Sequence, residues 1–167
     1  MITLRKAKEE DIELIRDIAA ATWPSAYLEI IGQKQIDYML DKMYSKGELL
    51  KQFMEGHIFL IAEEGEKQYG FAGYSIVGHE ERIYKLHKLY VIPSAHGKGV
   101  GKILINEVFN QVRDAGASAL ELNVNKYNKA KEFYLKAGFV VKESVKIDIG
   151  EGFFMDDYVM EYKLILR

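Results

Sequence analysis

Polar and apolar positions along the 167-residue chain change period several times, and each change marks an element. Ile2 and Leu4 alternate with Thr3 and Arg5, which predicts a short edge strand over Met1 to Lys6. Glu9-Glu10-Asp11 then supplies acid for a helix start, and Ile12, Ile15, Ile18 and Ala19, with Leu14 at the margin, predict a helix over about Glu9 to Ala21. The run Thr22-Trp23-Pro24-Ser25-Ala26-Tyr27 reads as its break, because proline lacks a helix donor. Ile36, Met39, Leu40 and Met43 predict a second helix from Gln33 to Tyr44, and after Ser45-Lys46-Gly47 a third, Glu48 to Glu55, turns Leu49, Leu50 and Phe53 inward.

From His57 the period is that of strands. Runs over 57–63, 69–77 and 82–92, separated by Glu64-Gly65-Glu66 and Gly78-His79-Glu80-Glu81, predict three antiparallel strands joined by hairpins. A helix follows from Lys98 to Ala115, with Val100, Ile103, Leu104, Val108 and Val112 on its core face and Gly116 as its stop. Then come a strand over 119–124, a helix from Lys126 or Tyr127 to Ala137 capped by Gly138, and strands over 139–149 and 153–166 around the turn Gly150-Glu151-Gly152. The strand-helix-strand unit over 82–124 forces one parallel pair into an otherwise antiparallel order. The expected fold is therefore α+β, one domain over 1–167, with a mixed sheet of about seven strands flanked by four to five helices.

Composition narrows the function classes. The chain is long enough to bury a core unaided, and 49% hydrophobic residues argue against disorder. A formal charge of −2 gives no general attraction to nucleic acid or an acidic membrane. With no cysteine there is no thiol nucleophile, Cys-ligated metal or disulfide framework. No leader pattern opens the chain and no apolar run approaches about 18 residues, so a cytoplasmic location is the expectation. The apolar last strand could pair with a copy of itself, giving a homodimer.

The chemistry centres on Leu86-His87-Lys88-Leu89-Tyr90-Val91-Ile92-Pro93-Ser94-Ala95-His96-Gly97-Lys98-Gly99-Val100-Gly101-Lys102. A strand stopped by Pro93, a glycine turn and a helix start together make an anion site of backbone amides, suited to a phosphate or pyrophosphate. It is not a P-loop: Gly101-Lys102 is followed by Ile103, and His96 stands where the first glycine belongs. Nor is it a dinucleotide fingerprint, whose third glycine falls on Lys102 or Leu104. The stretch Tyr-Val-Ile-Pro followed by Gly97-x-Gly99-x-Gly101 resembles the acetyl-CoA pyrophosphate loop of the GNAT superfamily of N-acetyltransferases, with His96 where the family usually has Gln or Arg. Asn125, then Ala130-x-x-Phe133-Tyr134, then Gly138-Phe139 resembles the family's second cofactor segment.

The resemblance implies an acetyl-CoA-dependent transfer of an acetyl group to a primary amine by direct attack in a ternary complex, with no metal. The acceptor would be a small-molecule amine, a polyamine or a peptide amine. It implies that the backbone amides of Gly97, Lys98, Gly99, Val100, Gly101 and Lys102 take the pyrophosphate, with the His96 side chain either contacting phosphate, capping, or standing in solvent. Leu89, Tyr90 and Val91, on a strand splayed from 119–125, would hold the pantetheine and thioester, with Asn125 and Asn128 along the cofactor arm. Tyr134 would be the acid for the leaving thiolate. From the residues alone, Phe133 and Tyr134 also read as helix core, and Asn128 as a cap.

For the amine's proton, His87, two residues before Leu89 and so expected on the same face, is the leading base, with Glu121 the other candidate. Trp23, Tyr27, Tyr74, Phe154, Asp156, Asp157 and Tyr158 gather aromatic and acidic character for an acceptor site that would suit a cation; a solvated bulge at Asp156-Asp157 is the alternative. Two rivals stand beside the enzyme. A CoA-binding sensor of the same fold would bind without transfer, and an acyl-CoA hydrolase lacks both a Gly-x-Ser-x-Gly elbow and a cysteine here.

Overall fold

The structure, a computed structural model, describes Met1 to Leu164. Seven strands and four helices follow in the order β1 (Thr3–Lys6), α1 (Ile12–Tyr44), α2 (Lys46–Met54), β2 (Ile58–Glu64), β3 (Lys67–Gly78), β4 (Ile83–Val91), α3 (Val100–Asp114), β5 (Ala119–Asn125), α4 (Ala130–Lys136), β6 (Val140–Gly150) and β7 (Phe153–Lys163). They form one sheet, β1-β2-β3-β4-β5-β7-β6, in which β4 and β5 are the parallel pair. This is the α+β architecture that the sequence pattern predicts.

Alternation along the central strands sends side chains to two cores. Leu60, Ala72, Leu86, Leu120, Leu122 and Met160 pack with Leu104 and Val108 of α3 on one face. Phe59, Ile61 and Phe71 meet Ile15, Ile36 and Leu49 of α1 and α2 on the other. Each face thus buries the apolar stripe of its helices, the main favourable term in such a layered fold.

Several boundaries differ from the sequence expectation. The first two predicted helices are both present within α1, and the second starts at Gln33 as expected, but the break between them is not at Pro24, which lies inside the first. The carbonyl that proline leaves without a donor belongs to Ala20, an exposed residue that water can reach, while Trp23 beside it is buried in the core. The chain actually turns at Gly32, where φ is 78° and ψ 165°. Ser45 caps α2 by accepting the Glu48 N–H at 3.2 Å, so that helix starts earlier than predicted, and Leu50 is exposed rather than inward. The fourth helix starts only at Ala130, because Asn125 and Asn128 accept the amides of Tyr127 and Ala130 at 2.9 Å each and hold the preceding residues in turns. The predicted end of the last strand at Leu166 lies outside the described residues. That strand, β7, runs between β5 and β6 and has no free edge, so it cannot pair with a copy of itself; the outer strands are β1 and β6.

Candidate active site

The site is built around a one-residue irregularity in β4. Gly73 is paired with Lys88 and the next residue, Tyr74, with Leu86, which leaves His87 as an extra residue, a β-bulge. A regular strand would put Lys88 on the face opposite His87, but the bulge brings both to one cavity together with Lys85 and Tyr90. Leu86, Leu89 and Val91 pack against the α3 core. The expectation that His87 shares a face with Leu89 is therefore wrong, and the bulge is the reason.

Immediately beyond the bulge β4 and β5 part. Their parallel ladder runs from Ile83 with Ala119 to Leu86 with Leu122 and stops there. On its other side β4 stays paired with β3, and the Ile92 N–H donates to the Tyr69 carbonyl at 2.8 Å. By antiparallel alternation the N–H and C=O groups of Leu89 and Val91 then face the gap. One of them is engaged, since the His96 ring donates from Nε2 to the Val91 carbonyl at 3.0 Å. His96 is thereby tied to the strand end rather than held toward the loop's amides.

The glycine loop continues this line. Gly97 and Gly99 have φ of 88° and 77°, a left-handed backbone that side-chain-bearing residues adopt only at a cost. Ile103 is the first helix amide with a partner, the Gly99 carbonyl at 3.0 Å. The N–H groups of Val100, Gly101 and Lys102 precede it and have no acceptor among the described residues, and neither do those of Gly97 and Gly99. Lys98 departs from the expectation: its N–H already donates to the Ala95 carbonyl at 3.3 Å, because the chain makes a turn there. Five of the six loop and helix-start amides over 97–102 are thus available to an anion, at the positive end of a 15-residue helix with no acid in its first turn.

Across the gap, Phe133 packs against Gly101 and brings Tyr134 in beside it. Tyr134 is buried between Phe133 and Phe139, and burial, with the nearby Tyr27 phenol second, raises its pKa, so the phenol stays protonated at neutral pH. Asn128 Oδ1 accepts the Ala130 amide at 2.9 Å, which fixes the side chain and leaves both N–H donors of its NH2 for another partner.

On the α1 and α2 side the gap opens into a cavity of about 410 Å³. Trp23 and Tyr27 form its wall, and Tyr27 and Tyr90 join hydroxyl to hydroxyl at 3.0 Å. Phe154 also lines it and is 43% exposed. Tyr74 does not line it: regular alternation along β3 puts Tyr74 on the same face as Ala72, buried in the α3 core with its hydroxyl donating to Gln111, so its assignment to the acceptor site is corrected. Of the two adjacent acids, Asp157 lines the cavity, 3% exposed, and Asp156 turns away to pair with Lys126 at 3.2 Å. That correction was available from the strand pattern, since Tyr158 and Met160 on the α3 face put odd-numbered residues on the opposite one.

Burial raises the Asp157 pKa, against the opposing hydrogen bond of Asn123 and charge of Lys85. His87 goes the other way. Burial first, then the charges of His57, Lys88 and Lys85, lower its pKa to about 3, and its Nε2 lies 2.6 Å from Ser75 Oγ. An imidazole so reluctant to take a proton is a poor base for an ammonium, so the leading sequence candidate loses its rationale. Glu121 is held by Lys142 at 2.9 Å and does not line the cavity. Lys88, Tyr44, Gln52 and Asn123 also line the cavity and were not singled out from sequence.

Comparison with known proteins puts this geometry in context. The family model described as the acetyltransferase (GNAT) family matches residues 12–139. A spermidine N(1)-acetyltransferase of Thermoplasma acidophilum is 27% identical over 168 residues, covering 97% of each chain. An uncharacterised N-acetyltransferase of Mycobacterium tuberculosis is 27% identical over 157 residues, 93% of this chain and 99% of that protein. Among solved structures, the PaiA N-acetyltransferase from Thermoplasma acidophilum in complex with coenzyme A superposes with a TM-score of 0.84 at 27% identity, covering 98% of this chain and 99% of that one. A GCN5-related N-acetyltransferase of Rhodopseudomonas palustris shares the fold, with a TM-score of 0.81 at 23% identity over 97% of this chain and 95% of its own.

Proposed function

The chain belongs to the GNAT family of acetyltransferases, and from that premise we propose that it transfers the acetyl group of acetyl-CoA to a primary amine by direct attack in a ternary complex. The observation that carries the proposal is the continuity of three parts: the five available amides over 97–102, the splayed β4 edge at Leu89 and Val91, and the cavity beyond it. The coenzyme A bound by the PaiA relative, and the amine for which the Thermoplasma relative is named, support the donor and the acceptor class.

In this reading the free amides take the diphosphate, and the unpaired edge of β4 hydrogen-bonds the pantetheine arm and polarises the thioester carbonyl. The NH2 of Asn128 and the edge of β5 at Asn125 flank the same arm. Trp23, Tyr27 and Phe154 wall the acceptor. Asp157, buried but within the cavity, holds the ammonium and takes its proton, because a carboxylate with a raised pKa is a better proton acceptor than an ordinary one. The amine nitrogen bonds to the acetyl carbon as the C–S bond breaks, and Tyr134 gives its proton to the leaving thiolate.

The test is acetyl-CoA titration by calorimetry, followed by thiol release across a panel of primary amines. Saturable heat with amine-dependent thiol release is expected. Binding without release from any amine would favour the sensor reading, and no binding at high micromolar protein would overturn both.

A further inference from the structure

Among the described residues, the inner end of the cavity gathers two unpartnered hydrogen-bond donors and a buried cation that no anion faces. Trp23 and Tyr44 are 2% and 3% exposed, and neither the indole Nε1 nor the phenol oxygen has a partner among the described residues. Lys88 is equally buried, with its Nζ 5.4 Å above the Tyr44 ring, and its hydrogen bond is to a neutral group, Gln52 Oε1, at 2.8 Å. Glu48 stands one step further back, accepting from the Gln52 amide at 3.2 Å. Lys85, half-buried on the same wall, makes no ion pair among the described residues. An unpartnered indole N–H and phenol O–H beside an ammonium held only by a neutral amide oxygen are a costly arrangement unless a ligand completes it.

We propose that this end is an anion subsite, so that the acceptor carries a carboxylate or comparable anion in addition to its amine. The inference rests on the transferase reading only for the identity of the amine end. Asp157 receives that end, two strands away across β5; two intact ladder spacings are roughly 10 Å, and the parting of β4 from β5 beyond Leu86 widens that separation. A carbon chain has to bridge the two ends. A diamine would instead bring its second ammonium against Lys88.

Trp23 is the only tryptophan in the chain, so its fluorescence reads this subsite directly. The whole protein is titrated with 4-aminobutanoate, 4-aminobutylphosphonate and 1,4-diaminobutane. Saturable changes with the anionic amines at a Kd about tenfold or more below that of the diamine are expected, the size of one hydrogen bond to a charged group, and the two anions distinguish carboxylate from phosphonate. Lys88→Met is expected to abolish that preference, and Tyr44→Phe, which keeps the ring, to weaken it. Diamine binding as tight as that of 4-aminobutanoate, or a preference that survives Lys88→Met, overturns the proposal. Thiol release measured in parallel separates the two readings. Anion-selective binding without release from any amine keeps the subsite and sinks the transferase; release with the diamine preferred does the reverse.

Discussion

Lys88 is the most consequential buried charge in the protein, and replacing it with methionine should make the ligand-free protein more stable. Burial lowers the ammonium's pKa from 10.5 to about 8, opposed only by the charge of Glu48. At 1.36 kcal/mol for each pH unit, that gap costs the fold about 3 kcal/mol at pH 7, where both folded and unfolded chains carry the proton. Methionine has similar length and no charge, and the lost hydrogen bond to Gln52 returns about 1 kcal/mol of the gain. The net expectation is about 2 kcal/mol, or a Tm higher by roughly 4 to 8 °C for a chain of this size. The pH dependence is the sharper signature. Between the folded value near 8 and the unfolded 10.5, the unfolded chain binds the extra proton, so wild-type stability rises by about 1.4 kcal/mol per pH unit relative to the variant. Below pH 8 the contribution is constant and unfavourable; above 10.5 it vanishes. Urea denaturation followed by far-ultraviolet circular dichroism at pH 7, 8, 9 and 10 measures it, and the difference between the two proteins cancels other titrating groups. Parallel profiles across that range would show that Lys88 is as well solvated inside as in water, and would remove the premise of an incompletely satisfied cation.

Three further outcomes follow from the site. Asp157→Asn should lower kcat/KM about 100-fold or more while acetyl-CoA affinity, by calorimetry, is kept. The activity-pH profile should lose its acid limb, which in the wild type lies above the ordinary carboxylate range, and because a raised carboxyl pKa favours the fold only at low pH, the variant should be no less stable at pH 7. Gly99→Ala meets no protein atom within 4 Å, so its folding cost is the left-handed backbone alone, about 1 to 2 kcal/mol, read as a lower Tm. An acetyl-CoA affinity that also fell less than about tenfold would dissociate the loop from the diphosphate. Tyr134→Phe should leave binding and Tm near wild type and reduce kcat about 100-fold in single-turnover acetyl transfer; normal turnover would exclude the phenol as acid.

Periodic features were legible in the sequence and aperiodic ones were not. The seven strands and the glycine loop before α3 rest on alternation and on glycine positions, both local signals. The break at Pro24 was misplaced because a proline's effect depends on whether water reaches the abandoned carbonyl, a tertiary fact. The His87 bulge does leave a mark, since the alternation of Lys85 to Leu89 breaks at the adjacent polar pair His87-Lys88, but a doubled polar residue in a strand does not by itself say which way the flanking side chains turn. From that one residue come two misassignments, His87 to the face of Leu89 and the silence on Lys88, whereas Tyr74 was misplaced against the plain alternation of β3 with Ala72. The exchange of Asp156 for Asp157 is different in kind, because the apolar parity of Tyr158 and Met160 already contained the answer.

The bulge also explains why the parted β4 edge and the cavity adjoin, as the proposed transfer requires. Had β4 run without it, Leu89 and Val91 would have lain on the α1 side, and Lys88 on the α3 side among Leu104 and Val108, where a cation has no partner. The ladder to β5 ends at Leu86, one residue before the extra one, so the residue that turns the side chains over also stands where the strands begin to part. Compared with a regular strand of the same residues, the bulge thus turns Tyr90 toward Tyr27 and Lys88 into the cavity, and it stands where backbone that the proposed reading gives to the pantetheine comes free. Deleting His87 leaves Leu86, Lys88, Leu89 and Tyr90 alternating on the faces they already occupy, so it should keep Lys88 in the cavity and impair acetyl-CoA binding by letting β4 stay paired with β5, whereas His87→Ala, which keeps the residue count, should preserve that binding. Equal loss of acetyl-CoA affinity in the two variants would trace the site to the imidazole rather than to the bulge.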